Sequence, residues 1–226
     1  MTSTKESPPQ LSLAELLGPK LLLNAKGAKR DTKTALKNKD LILLYFSASW
    51  CPPCKTFSPI LMDFYNETAK DHNLEIIYVS SDRTVADFTE YYGKMPWLAI
   101  PSDEGAAAIK SVLADKLKIS AIPTLVVLDG DGKYITNNAR EAVGAAAAFE
   151  EKRNQLIQWW KNKEAVPLDQ ADLGGGSWFS GGIGGILMAI MKNPTYIFGL
   201  LYLFKMAKTF FQEHFATAAV EADKEL

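Results

Sequence analysis

Leu41-Ile42-Leu43-Leu44-Tyr45-Phe46-Ser47-Ala48-Ser49-Trp50-Cys51-Pro52-Pro53-Cys54 decides how this chain folds. Its first half is an apolar run that reads as a buried strand. Its second half holds the only two cysteines of the 226 residues. From Ser58 through Lys70 the apolar residues fall at helical spacing, so the pair sits on a strand-to-helix turn with Cys51 near a helix N-terminus. There the backbone N–H groups and the aligned peptide dipoles stabilise a thiolate. Two thiols so spaced can close into a small disulfide ring and open again, which is the chemistry of a dithiol redox site.

A metal reading of the pair fails on ligand supply. Half a zinc site needs two further Cys or His ligands, and the chain has no other cysteine and only His72 and His214, far apart in sequence. Two inert core cysteines are the other alternative; Trp50 and two prolines in a strand–helix context argue against it. Cys51, at the exposed helix start, is expected to have the lower pKa and act as nucleophile, and Cys54, one turn in and more buried, to resolve the mixed disulfide. Pro53 has no N–H to donate, and Pro52 fixes its own φ and keeps Trp50-Cys51 out of helical geometry. Trp50 is either a flat apolar face beside the sulfurs or a half-buried core aromatic. Ile122-Pro123-Thr124 is the second candidate segment. Pro123 either opens a strand for steric reasons alone or faces the sulfurs as a cis-proline, leaving a backbone edge for a substrate strand.

The chain is long enough for one domain and an appendage. Its 47% hydrophobic and 23% charged content is ordinary for a folded domain, and a net charge of -1 implies neither a nucleic-acid surface nor an acidic partner. Residues 1–10 are polar, lack a signal-peptide core and are predicted to be disordered. A reducing compartment follows, where a Cys-x-x-Cys pair is catalytic or metal-binding more often than structural.

Outward from the cysteines, residues 11–17 read as a short helix stopped by Gly18-Pro19, and 21–23 with 32–36 as an edge hairpin. Residues 74–80 are a second strong strand. Asp82 and Thr84 offer N-cap chemistry for a helix over 85–92. Residues 97–101 are extended, 104–117 helical, 122–128 a strand, 129–132 a turn and 134–136 its hairpin partner; the last helix runs over 145–161. This alternation predicts an α/β fold with a mixed central sheet flanked by helices, over residues 11–163. A Gly-rich linker is expected over 164–180, a hydrophobic helical tail over 181–208 and a polar end over 209–226. A spanning helix needs roughly 20 mostly apolar residues. The tail has that length, but Lys192, Asn193 and Pro194 interrupt it, and a central lysine costs about 2.5 to 3.5 kcal/mol on insertion scales. A single membrane anchor is the expectation; a helix lying on a membrane or packed on another subunit from Pro194 onward is the alternative.

Phe46-Ser47-Ala48-Ser49-Trp50-Cys51-Pro52-Pro53-Cys54-Lys55, Lys94-Met95-Pro96-Trp97-Leu98-Ala99-Ile100-Pro101 and Ile122-Pro123-Thr124-Leu125 together resemble the tryparedoxin branch of the thioredoxin superfamily, close to the nucleoredoxins. The resemblance implies a thioredoxin-like fold and a dithiol carrier with no bound cofactor. Such a carrier takes electrons from trypanothione, or here glutathione, and passes them to peroxiredoxins and other disulfide proteins. It implies Cys51 as the attacking cysteine, Cys54 as the resolving one, a redox-active Cys51–Cys54 disulfide, Pro123 in cis after Ile122, and Trp50 bordering the site. Tyr45 stands where many thioredoxins have a buried aspartate, so proton transfer needs water or another group. Ser81-Asp82-Arg83 replaces a Trp-Asp-Glu-type stretch, which argues against strict dependence on trypanothione. Asp82, Arg140 and Trp97 are candidates for substrate recognition; an N-cap at Asp82 and a solvated Arg140 are the plain alternatives. With the tail, the expectation is a catalytic domain facing the cytosol from the mitochondrial outer membrane or the endoplasmic reticulum. A membrane-tethered adaptor, or a disulfide oxidase or isomerase, are the competing functions.

Overall fold

Seven consecutive residues, Leu41–Ser47, are all buried, because the strand they form lies at the centre of a sheet covered on both faces. The computed structural model describes residues 12–171 and Leu173. In chain order these form α1 (Leu13–Leu17), β1 (Lys20–Leu22), β2 (Lys29–Asp31), α2 (Thr32–Ala35), β3 (Leu41–Ser47), α3 (Pro52–Thr68) and β4 (Leu74–Ser80). There follow α4 (Val85–Tyr92), β5 (Leu98–Ala99), α5 (Glu104–Lys116), β6 (Thr124–Asp129), β7 (Tyr134–Thr136), α6 (Ala139–Ala146) and α7 (Glu150–Asn162). The strands make one mixed sheet in the order β2-β1-β5-β4-β3-β6-β7. β3 pairs with β4 in parallel and with β6 antiparallel, so Leu44 lies beside Ile77 on one side and Val126 on the other.

Side-chain alternation along β3 divides the interior in two. Leu41, Leu43 and Tyr45 face Phe57, Leu61 and Phe64 of α3, Tyr91 and Tyr92 of α4, Val143 of α6, and Ile157 and Trp160 of α7. Ile42, Leu44 and Phe46 face Leu16 and Leu17 of α1 and Leu113 of α5. Each such apolar side chain contributes roughly 1.5–3 kcal/mol when fully buried, so β3 is the strand that both layers hold most firmly, and the cysteine turn hangs from its end.

Three boundaries differ from the sequence reading. The second arm of the edge hairpin is Lys29–Asp31, and Thr32–Ala35 is one helical turn capped by the Asp31 side chain, which accepts the Thr34 N–H at 3.1 Å. α3 begins at Pro52, directly after Cys51, as the strand-to-helix turn implies: prolines are tolerated in a first turn, whose N–H groups have no helical partner anyway. The final helix is two helices. Phe149 is extended between α6 and α7, and the buried Arg153 donates to the Ala147 carbonyl at 2.7 Å, closing the end of α6. The domain does not stop at residue 163. Val166 exchanges two backbone hydrogen bonds with Tyr134 (2.8 and 2.9 Å), Leu173 is buried in the α1–α5 layer, and the compact unit ends there.

Residues 1–11, Asp172 and 174–226 lie outside the described residues, and with them the expected disordered start, the Gly-rich end of the linker, the apolar tail and the polar terminus. Among the described residues no helix is long and apolar enough to cross a membrane.

Candidate active site

Cys51 and Cys54 lie where β3 gives way to α3, joined as a disulfide. Cys51 is the N-cap of this 17-residue helix, and its sulfur accepts the Cys54 N–H at 3.3 Å. Pro52 and Pro53 fill the first two helical positions without N–H groups, so the Cys54 N–H is the first helical donor the sulfur can meet. A negative charge developing on Cys51 would be stabilised by that donor and by the positive end of the helix. Cys51 keeps 4% of its surface and Cys54 none. Cys51 is thus nearly covered, in contrast to the exposed position read from the sequence, yet it remains the sulfur a partner reaches first.

Ile122 and Pro123 approach from the start of β6. Their peptide bond is cis, and Cys51 Sγ lies 3.8 Å from the Ile122 carbonyl oxygen. Ala48 and Ile122 pack against the two sulfurs.

Trp50 is half exposed, not a core aromatic. Its indole N–H donates to the Ser81 carbonyl at 3.1 Å, and the Arg83 guanidinium sits over its ring, 5.6 Å from the centroid. One edge of the indole is thereby fixed to the loop after β4, and Pro52 and Pro53 are exposed on the adjoining rim.

Asp82 does not cap α4. Thr84 does, accepting the Asp87 N–H at 3.1 Å. Asp82 instead reaches back to the cysteine turn: Oδ1 accepts the Ser49 N–H at 2.6 Å, and Oδ2 accepts the Tyr78 and Ser80 hydroxyls at 2.7 and 2.8 Å. Partial burial alone would raise its carboxyl, but these donors outweigh burial and hold it below the ordinary carboxylate range. A carboxylate with a depressed folded pKa contributes stability that is present above its unfolded value, about 3.9, and is lost as pH falls through the folded value. The difference in thermal midpoint between the wild type and Asp82→Asn should therefore be largest at neutral pH and shrink as pH is lowered toward about 2. A difference that is constant across a Tm-versus-pH series would show that the charge on Asp82 contributes nothing.

Beneath the sulfurs lies a row of hydroxyls. Tyr45 donates to the Cys54 carbonyl (3.4 Å) and bonds Ser58 (2.9 Å); Ser58 bonds Tyr91 (2.7 Å), and Tyr91 bonds Ser47 (3.4 Å). Burial pushes the Tyr45 hydroxyl well above its usual pKa, so it stays protonated and is no substitute for an aspartate as proton acceptor.

Two sequence candidates lie elsewhere. Trp97 is 1% exposed, its ring edge-on to Tyr45 and Tyr65 at 6.1 and 5.6 Å. It is a core side chain and no recognition surface: just ahead of the interior strand β5, it packs into the aromatic cluster, where its large apolar area is removed from water. Arg140 is exposed in the first turn of α6, and among the described residues no hydrogen bond or ion pair joins it to the cysteine turn. The sequence reading missed Ser49, Ser58 and Tyr91. Only Ser58 had a local signal, one helical turn after Cys54; Ser49 and Tyr91 are placed by contacts between distant segments.

Residues 38–134 match the family model for thioredoxin-like proteins. The chain is 44% identical over 103 residues to tryparedoxin of Trypanosoma brucei brucei, covering 45% of this chain and 70% of that protein. It is 42% identical over 123 residues to probable nucleoredoxin 1 of Arabidopsis thaliana, covering 52% of this chain but only 21% of that longer protein. The solved structure of tryparedoxin II complexed with glutathionylspermidine superimposes with a TM-score of 0.53 at 37% identity, over 59% of this chain and 90% of that one.

Proposed function

This chain belongs to the thioredoxin-like family, and from that premise we propose that it is a thiol–disulfide oxidoreductase reducing protein disulfides, those of peroxiredoxins among them. The Cys51 sulfur at the N-terminus of α3, in reach of the Cys54 N–H, is the observation that carries the reading. In the reduced protein the Cys51 thiolate attacks a substrate disulfide. One substrate sulfur joins Cys51, and the other leaves as a thiolate and takes up a proton. Cys54, losing its own proton, then attacks Cys51 Sγ; the Cys51–Cys54 bond forms and the second substrate sulfur departs with its electron pair. Two electrons pass to the substrate, and two small thiols restore them, becoming a disulfide. We take those thiols to be of the trypanothione or glutathione kind, a choice supported by the relative solved with glutathionylspermidine.

Pro123 and the Ile122 carbonyl, beside Cys51, would hold an extended substrate segment against the sulfurs, and exposed Trp50 would cover it. The open rim suits a disulfide on a protein surface. The purified chain, recycled by either thiol with its disulfide reductase, should reduce insulin and a disulfide-linked peroxiredoxin catalytically; failure with both thiols and both acceptors would overturn the proposal.

For residues 181–208 we propose a membrane anchor that leaves the catalytic domain in the cytosol, at the mitochondrial outer membrane or the endoplasmic reticulum. Its support is the apolar run over 183–204, read from the sequence. After alkaline carbonate extraction of cells expressing the full chain, the protein should stay in the membrane pellet; its release to the supernatant would count against a spanning segment.

A further inference from the structure

A net charge of -1 conceals an uneven distribution. Residues 20–39 hold seven of the 25 Lys and Arg but only one of the 26 Asp and Glu, so this segment carries a formal +6 and the rest of the chain -7. The fold gathers the segment at one margin of the sheet. β1 and β2 form its outer hairpin, with Lys20 opposite Asp31 and Leu22 opposite Lys29, and α2 follows β2 without a break. Two of the seven cations are neutralised in place, Lys29 by Asp103 at 3.0 Å and Lys39 by the buried Glu75 at 3.1 Å. The other five, Lys20, Lys26, Arg30, Lys33 and Lys37, are exposed, and among the described residues none closes an ion pair with a carboxylate. Two acids stand among them, both engaged. Asp31 Oδ1 accepts the Thr34 N–H and hydroxyl in the α2 cap, and Glu15 Oε2 accepts the Ser12 N–H and hydroxyl in the α1 cap, within reach of the charge on Lys33. Asp40, next in the chain, is paired with Lys161. With both acids counted at full charge the patch is still net positive.

Chemistry narrows the occupant. The segment contains no aromatic side chain, so nothing in it stacks on a nucleic-acid base. Six of its seven cations are lysine, a hydrated point charge that suits a diffuse anionic surface, where the fork of an arginine suits bidentate capture of one carboxylate or phosphate. Lys/Arg clusters of this size bind the headgroups of anionic lipids. We propose that the β1–β2 hairpin and α2 form an electrostatic docking face for an anionic lipid surface. The attraction is charge on charge, with no apolar insertion, and is therefore reversible and weakened by salt. It takes nothing from the exchange chemistry proposed above, and the anchor proposed for residues 181–208 would add only proximity to the bilayer.

The full chain is mixed with vesicles of phosphatidylcholine alone or with about a third phosphatidylserine. It is then labelled briefly with a water-soluble amine-acylating reagent and digested for mass spectrometry. On the anionic vesicles acylation of Lys20, Lys26, Lys33 and Lys37 should slow about fivefold relative to the neutral ones at low salt, and the difference should close as salt rises. Lys70 and Lys152, exposed outside the patch, should acylate equally on both. Arg30→Glu combined with Lys33→Glu should abolish the protection of Lys20, Lys26 and Lys37 with an unchanged urea midpoint. Equal acylation on the two vesicles, or protection that the double variant retains, overturns the proposal. So does protection by single-stranded RNA at physiological salt where the vesicles give none, which would assign the patch to nucleic acid. Partition into the neutral vesicles reports separately on the apolar run: its absence counts against the anchor, and protected lysines in the same samples would still support the docking face.

Discussion

Cys51→Ser should abolish turnover, with insulin reduction falling roughly 10³-fold or more, to the uncatalysed background. A serine hydroxyl in the same N-cap still accepts the Cys54 N–H, so fold and helix start are preserved. It does not ionise near neutral pH, and its oxygen cannot form the mixed disulfide. The two cysteines should fail differently. Cys54→Ser leaves the first attack intact and removes the group that releases the product, so a covalent adduct through Cys51 should accumulate, one per chain, visible by mass spectrometry and lost on reduction. Buried behind its neighbour with no exposed surface, Cys54 is poorly placed to attack a partner itself. Undiminished turnover by Cys51→Ser, or an adduct forming on Cys54 in that variant, would reverse the assignment.

Trp97→Ala should produce the largest loss of stability of any single change considered, about 3–5 kcal/mol, against a total of roughly 5–15 kcal/mol for a domain of this kind. The indole fills the space between Tyr45 and Tyr65, and the backbone carbonyl of Trp97 accepts the Tyr92 hydroxyl at 2.9 Å. Truncation leaves a cavity under the same tyrosine that braces the Cys54 carbonyl, so the urea midpoint should fall steeply and thiol–disulfide exchange should slow with it. Trp97→Phe should cost less than Trp97→Ala, because it leaves a smaller cavity. Among the described residues the buried indole N–H has no hydrogen-bond partner, and phenylalanine removes that unsatisfied donor along with part of the ring. A Trp97→Ala variant with a wild-type midpoint would return Trp97 to the surface role read from the sequence.

What could be read in advance was local. The run 41–46, the cysteine spacing and the strand over 74–80 each announce themselves within a few residues, and they place the sulfurs on a strand–helix turn. Periodicity does not report how deep a residue sits. Trp97 follows Pro96 in a segment that could face either way, and only the aromatic cluster from β3, α3 and α4 draws it inward. The direction of Asp82 was equally hidden. Two residues ahead of Thr84 it resembles a cap, but its donor, Ser49, comes from a loop 33 residues earlier. The alanine-rich stretch before Phe149 has uniformly high helix propensity, so the break at Ala147 follows from Arg153 and is invisible to a propensity reading.

The strap formed by residues 164–173 bears on how this molecule keeps company with itself. An exposed β-strand margin invites another chain to add to it, the first step toward aggregates. At one margin Val166 occupies the backbone groups of Tyr134; at the other, β2 is only three residues long, all exposed, Lys-Arg-Asp. Neither flank presents a long apolar template. Many copies crowded together would therefore resist zipping into fibrils, and productive encounters would be steered toward the tryptophan end.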